Sequence, residues 1–439
     1  MKRTILLLFT LLLFTTSAFS QGILNMIGRS EDFFKLLSEE KYTEAYGFFD
    51  ANFQAKVSED NVKQIWIKLA EKLGKLENIQ VTSSKTQGEH FVVTLEGKFT
   101  NDSQDFLLAF DKAEKMVGFF LQPSRKAAAY LTPAYADTTL YKEKEIYVKT
   151  AKHSLVGILT VPKKAVTYPI VVFVHGSGPQ DMDETFGPNK PFKDLASGLA
   201  SKGIASIRYV KRTMLYTREF TGTFTVKEEV MDDALAAVAL ARTIPAANKK
   251  QIYLLGHSLG GMMAPKAAVL APDLKGVILL AAPARKLTDV IVEQTKYMFG
   301  LEKDTTKAGR LQLDSVVKEL NRSRITKLGT LKPDSSIFGL PAAYWVDLNL
   351  YNQVATAKKL VSQRIFVAQG ANDSQVSVAD YNLWKTALGT KKTATLKLYP
   401  ELNHMMITQK DKSDLKQYSI PANVSPVVIN DIATWIKSK

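Results

Sequence analysis

The run IYLLGHSLGG, residues 252–261, closes an apolar stretch with Ser258 set between Gly256 and Gly260. A serine on such a sharp bend presents its hydroxyl for attack on a carbonyl carbon. The alcohol alone is a poor nucleophile, so the chemistry also needs a base, an acid that orients the base, and amide donors for the developing oxyanion. A bare glycine turn would satisfy the same pentapeptide, and the flanks decide between the two. KQIYLLG reads as a buried strand and LGGMMAPKAAVLAP as a helix leaving it, the strand–turn–helix context that a nucleophile requires. In that context the helix start places the Leu259 amide where it can face an oxyanion.

The base follows by elimination among five histidines. His90 lies far upstream, His153 precedes an early strand, His175 sits in the glycine-rich FVHGSGPQD, and His257 points away within the bend. His404 is left, in ELNHMM after the strand TATLKLYP. The acid is expected between serine and histidine, after the preceding strand, and RIFVAQGANDSQVS offers Asp373 there. Asp380 competes, but it falls inside the helical VSVADYNLWKTAL and is expected at the surface. The second oxyanion donor is expected from FVHGSGPQD, as the amide of Gly176 or Ser177.

The elements that must carry these residues alternate from residue 140 onward. LVGILTVP, PIVVFVHG, IASIRYV, KQIYLLG and KGVILLAAP read as strands, separated by the helical FKDLASGLASKG and TVKEEVMDDALAAVALARTIP. That grammar predicts an α/β fold with a mostly parallel sheet covered on both faces. Upstream, SEDFFKLLSEEKYTEAYGFF and SEDNVKQIWIKLAEKLG read as amphipathic helices, the second capped by Ser58. Four alternating runs follow, KLENIQVTSS, HFVVTLEGKFT, DFLLAFD and KMVGFFLQP, as an antiparallel meander. The expected layout is a small α+β domain over 21–122, a linker at 123–139 rich in Ala, Pro and Thr, and a catalytic domain over 140–439.

On GHSLGG, QGANDSQV and HGSGPQDMDETFGPNKPFKDLASGLASKGIASIRYVKRT, residues 140–439 resemble the α/β-hydrolase superfamily, in its secreted carboxylesterase and serine-aminopeptidase-like branch. The resemblance implies an eight-stranded mostly parallel sheet, the triad Ser258, Asp373 and His404, no metal and no organic cofactor. It also implies a helical cap at about 285–350, where Met298, Phe299, Phe338, Tyr344 and Trp345 are candidates for an acyl pocket. That branch usually carries an acid where this chain has Val210, so Arg208, Lys211 and Arg212 are expected to lack a partner. Residues 28–122 resemble an NTF2-like domain of unknown function that precedes secreted hydrolases.

The chain opens with Lys2 and Arg3, an apolar run from Ile5 to Phe14 and a small-residue exit, the layout of a signal peptide over residues 1–20. That run is shorter than the roughly 20 residues needed to span a bilayer, so no membrane span is expected in the mature protein. Loss of Lys2 and Arg3, with no acid, takes the net charge from +15 to +13. The lysines are dispersed along the chain, which argues against a nucleic-acid partner. No cysteine is present, which rules out disulfides and thiolate metal sites. The function expected is that of a periplasmic or secreted serine carboxylesterase acting on a small-molecule ester. A peptidase using the same triad, with Glu293, Glu302 or Glu319 receiving the substrate ammonium, is the alternative. A binding protein that kept the hydrolase shell is the remote one.

Overall fold

A computed structural model describes residues 18–87, 90–122, 129–303, 307–412 and 415–438. The expected leader lies outside these up to residue 17, and Ala18 onward begins the first helix. The chain divides into two compact units, 1–128 and 129–439. No helix among the described residues is long and apolar enough to cross a membrane.

The first unit contains helices α1 (Ala18–Ser38), α2 (Tyr42–Tyr46), α3 (Ala51–Gln54) and α4 (Glu59–Leu73). The antiparallel strands β1 (Leu76–Gln87), β2 (His90–Phe99), β3 (Ser103–Phe110) and β4 (Met116–Leu121) pair in chain order. Helix α4 starts where it does because Ser58 accepts from the Asn61 amide while the Asn61 side chain accepts from the Ser58 amide. This reciprocal cap satisfies two otherwise orphaned donors. The alternating residues Val93, Leu95, Phe106, Leu108 and Phe110 point from the sheet onto Phe33, Phe34 and Trp66 of the helices. Phe34 and Phe106 meet with ring centroids 4.5 Å apart.

The second unit begins with β5 (Tyr141–Lys149), β6 (Ser154–Pro162), β7 (Tyr168–Val174), α5 (Pro191–Ser201), β8 (Ala205–Tyr209) and α6 (Arg212–Leu215). It continues through α7 (Asp232–Thr243), β9 (Ala247–His257), α8 (Leu259–Leu270) and β10 (Gly276–Leu280). Between β10 and the next long strand come α9 (Leu287–Glu302), α10 (Lys307–Arg322), the short hairpin β11 (Ser336–Ile337) and β12 (Leu340–Pro341), α11 (Ala342–Leu350) and α12 (Gln353–Lys359). The unit closes with β13 (Arg364–Gly370), α13 (Val378–Leu388), β14 (Ala394–Tyr399) and α14 (Pro426–Lys437).

Eight strands form one sheet in the order β14-β13-β10-β9-β7-β8-β6-β5. Strand β6 runs opposite to the other seven. The central strands read as unbroken apolar runs because both faces are covered. Val172, Leu254, Val277 and Val367 face a core shared with α7, α8 and α13, while Val171, Leu255, Ile278 and Phe366 face α5 and α14. Each such side chain contributes about 1.5–3 kcal/mol by leaving water.

Two departures from the sequence reading bear on the site. TVKEEVMDDALAAVALARTIP, read as one helix, opens with a widened π turn at Lys227–Met231 before α7 begins, and that turn carries the buried Glu229. The expected linker also divides. Residues 123–128 lie outside the described residues, whereas 129–139 belong to the second unit, where the Tyr130 hydroxyl donates to Asp194 and the Tyr135 hydroxyl to the Val424 carbonyl, each at 2.7 Å.

Candidate active site

Ser258 follows the last residue of β9 and precedes α8, at φ 51° and ψ −116°. A non-glycine residue held there costs on the order of 1 kcal/mol or more, so the surroundings must impose it. They do so by close approach. A side chain on Gly256 would come within 2.1 Å of the Gly260 carbonyl, and one on Gly260 within 2.2 Å of the Val174 carbonyl. Only glycine lets the strand and helix meet at this angle, and the Ser258 amide is tied to the Leu280 carbonyl of β10 at 2.9 Å.

Asp373 and His404 come from loops after β13 and β14, and both are buried. His404 Nδ1–H donates to Asp373 Oδ2 at 2.7 Å. The ionised carboxylate can only accept, so it fixes the proton on Nδ1 and leaves Nε2 bare as a base. Three further donors hold the carboxylate: the amides of Gln375 at 2.7 Å and Val376 at 2.8 Å, and the Gln369 amide nitrogen at 2.9 Å. His257 Nε2–H donates to the His404 carbonyl at 3.0 Å, which ties the histidine loop to the residue beside Ser258. The two imidazole rings lie 4.6 Å apart.

The loop after β7 passes close to the serine. A side chain on Gly176 would come within 3.3 Å of the Ser258 Cβ. The Gly176 amide, one of the two expected oxyanion donors, is already engaged, donating to Glu184 Oε1 at 2.7 Å. The Gly178 amide is likewise used, by Glu229 at 3.0 Å. The amide of Ser177, exposed between them, has no hydrogen-bond partner among the described residues, and Leu259 supplies the first amide of α8. Behind the strap, His175 is fully enclosed, and burial pulls its pKa down to about 4. The neutral ring donates to the Asp181 carbonyl at 3.0 Å.

Several expectations are corrected by the packing. The three basic residues around Val210 all have partners, supplied from distant segments. Arg208 binds Asp183 at 2.8 Å and Glu143 at 2.9 Å, Lys211 binds Glu229 at 2.6 Å, and Arg212 binds Asp233. Asp380 is not at the surface: it is wholly enclosed, accepting from the amides of Ala284 and Arg285 and pairing with the Arg285 guanidinium at 2.6 Å. Tyr344 and Trp345 are core residues rather than pocket lining. Tyr344 packs on Phe224 and engages Glu229, and the Trp345 indole donates to the Ile337 carbonyl at 2.8 Å. Of the five pocket candidates, Met298 and Phe299, half-buried on α9, and Phe338, exposed at φ 47° between β11 and β12, have surface to offer a ligand.

Glu184 and Glu229 were not legible as site residues from sequence. Neither carries a motif, and each reaches the strap only through folding, across 8 and 51 residues.

Residues 169–411 match the model of the family described as serine aminopeptidase, S33, and residues 30–119 match a family described as a protein of unknown function, DUF3887. Esterase EstD of Thermotoga maritima is 34% identical over 405 residues, 92% of this chain and 93% of that one. Among solved structures, an esterase of Pyrococcus furiosus aligns with a TM-score of 0.42 and 12% identity, over 68% of this chain and 91% of that one. A hyperthermophilic esterase of Pyrobaculum calidifontis aligns with a TM-score of 0.43 and 16% identity, over 67% and 85%. Through the length and identity of the first relative and the family model matched over residues 169–411, this chain belongs to the α/β-hydrolase family of serine hydrolases.

Proposed function

We propose that this protein is an exported serine carboxylesterase in which Ser258, His404 and Asp373 act as the triad. Ser258 Oγ attacks the ester carbonyl carbon while His404 Nε2 takes its proton. The amides of Ser177 and Leu259 receive the oxyanion, the C–O bond breaks, and the alcohol leaves with the proton from His404. Water then repeats the sequence on the acyl-enzyme and regenerates the serine. The observation that carries this reading is the buried Asp373–His404 pair at 2.7 Å, tied by His257 to the strained Ser258 bend.

The kinship with an esterase over nearly the whole chain supports ester over peptide substrates. A peptidase acting on free amino termini needs an unshared carboxylate for the substrate ammonium. Glu293 is paired with Arg285 and Glu319 with Arg322, so two of the three candidates are already neutralised. The side chain of Glu302 lies outside the described residues. Export rests on the amino-terminal leader pattern.

A fluorophosphonate probe tests the nucleophile: the adduct is expected on Ser258, and labelling elsewhere or nowhere would refute the assignment. A panel of short acyl esters against aminoacyl anilides tests the substrate class, with faster turnover expected on the esters.

A further inference from the structure

The buried ionic network behind the glycine strap has no part in the triad, and its geometry points to a task. Four of the strap's backbone groups are engaged, two on each side of Ser177. The Gly176 amide donates to Glu184 Oε1 at 2.7 Å, and the Gly176 carbonyl accepts from Lys211 Nζ at 2.6 Å. The Gly178 amide donates to Glu229 Oε1 at 3.0 Å, and the Gly178 carbonyl accepts from Thr213 Oγ1 at 3.3 Å. Lys211 joins the two halves, since its Nζ also contacts Glu229 Oε1 at 2.6 Å.

We propose that Glu184, Lys211 and Glu229 are positioning residues for the oxyanion site, clamping Gly176 and Gly178 so that the Ser177 amide between them is held toward Ser258. The proposal rests on the serine-hydrolase reading above and goes beyond it.

Each clamp is held in a fixed direction by its own surroundings. Asp181 accepts from the amides of Asp183 and Thr185 and from the Thr185 hydroxyl, closing a tight turn in which Glu184 adopts φ 52°. Arg208 anchors the same turn through Asp183. Glu184 is thereby aimed back under the strap, with its second oxygen 3.0 Å from His257 Nδ1. Neither atom makes a hydrogen bond of standard geometry elsewhere among the described residues, so the two are left facing each other. Burial pulls the His257 pKa down, but Glu184, the His404 carbonyl and the charge of Asp373 together raise it above its ordinary value. Glu184 therefore links the strap to the residue that precedes the nucleophile. On the other side, the π turn widens the start of the helix that carries Glu229.

Buried ions are costly to desolvate and their net contribution to stability is small. Oriented amides, in contrast, act only if they do not have to reorganise as charge develops on the substrate oxygen. Three buried charged side chains around one three-residue strap fit the second purpose.

The test uses the full chain and counts competent sites with the fluorophosphonate probe. For Glu184→Leu, kcat per labelled serine on a short neutral ester is expected to fall about 30-fold with KM within about twofold. The inhibition constant of a trifluoromethyl ketone, which forms a tetrahedral oxyanion, should rise by the same factor. Glu184→Gln keeps an acceptor for the Gly176 amide and should recover to within about fivefold of wild type. If Glu184→Leu does not fold, Glu229→Ala, which removes the acceptor for the Gly178 amide, takes its place, with the same parallel change in kcat and inhibition constant expected. A per-site kcat and inhibition constant within twofold of wild type would overturn the proposal, as would a loss confined to the fraction of labelled serines. Absence of a wild-type Ser258 adduct would instead refute the underlying reading of the site.

Discussion

The two units bury different chemistry. Among the described residues of the first unit, Ser30 is the one polar side chain in the buried set, and the interior is otherwise Phe33, Phe34, Trp66, Phe106 and their apolar neighbours. The second unit buries two large apolar cores and a small one around Met405, Ile407 and Tyr418, but it also encloses Asp183, Glu184, Asp194, Arg208, Lys211, Arg212, Glu229, Asp233, Asp373, Asp380 and His404. Enclosing a charge is tolerated only where partners replace the lost water. Nearly all of these charges have such partners, and many stand on loops leaving the strands, among them the loops that pair Asp373 with His404. An interior of aromatic rings stabilises a fold, whereas an interior with oriented ions fixes the positions of loops. The contrast agrees with the proposal that the chemistry lies in the second unit.

The sharpest test of that division is Ser258→Ala, which removes the nucleophile and keeps the bend. Turnover of esters is expected to fall by about four to six orders of magnitude with the melting temperature little changed. A variant keeping a tenth of the wild-type rate would break the assignment.

Next in size is a pair of buried acids in the same unit. Asp373→Asn should cost about 10⁴ in kcat, because the amide can hold His404 in the wrong tautomer. Asp380→Asn should leave kcat within about tenfold and instead lower stability by about 2 kcal/mol, because it weakens the anchor on Arg285. The reverse pattern in assays and urea melts would mean that the acid had been misplaced.

A third test uses pH. His175 has a folded pKa of about 4 against an ordinary value of 6.5. The unfolded chain therefore binds the proton more readily, and the stabilising term present above pH 6.5 is lost as pH falls toward 4. Wild type is expected to lose about 3 kcal/mol more than His175→Gln between pH 7 and pH 4. Tryptophan fluorescence can follow this, since Trp345, Trp384 and Trp435 all report the second unit. Equal losses in the two proteins would show that His175 is not neutral in the fold.

The smallest effect is expected from removing the first unit. A chain beginning at Ala129 should keep its rate per labelled serine within about threefold, since every group assigned to the reaction lies downstream. Starting instead at Thr138 removes Tyr130 and Tyr135, whose hydroxyls bind Asp194 and the Val424 carbonyl, and should cost about 1 kcal/mol for each bond lost. A hundredfold drop for the longer fragment would show that the first unit helps to build the site.

Much of this protein was written locally. Alternating and continuous apolar runs determined the strands, because the period of side-chain facing is set by the backbone itself. The Ser58 cap and the glycines of GHSLGG could be read directly, since their causes lie within a few residues. Elimination among five histidines pointed to His404 and chain order to Asp373, and the fold brings these two side chains together. Tertiary structure decided what depends on charges meeting across long loops. Val210 suggested unpaired cations, but Arg208 found Glu143 across 65 residues and Arg212 found Asp233 across 21. Asp380 looked exposed on its helix until Arg285, 95 residues earlier, came to lie against it. Gly176 and Ser177 were equivalent donors in sequence, and only the fold turned Glu184 back onto one of them. An ion pair or a buried amide carries no local period, so its partner is known only once the backbone has brought distant segments within about 3 Å.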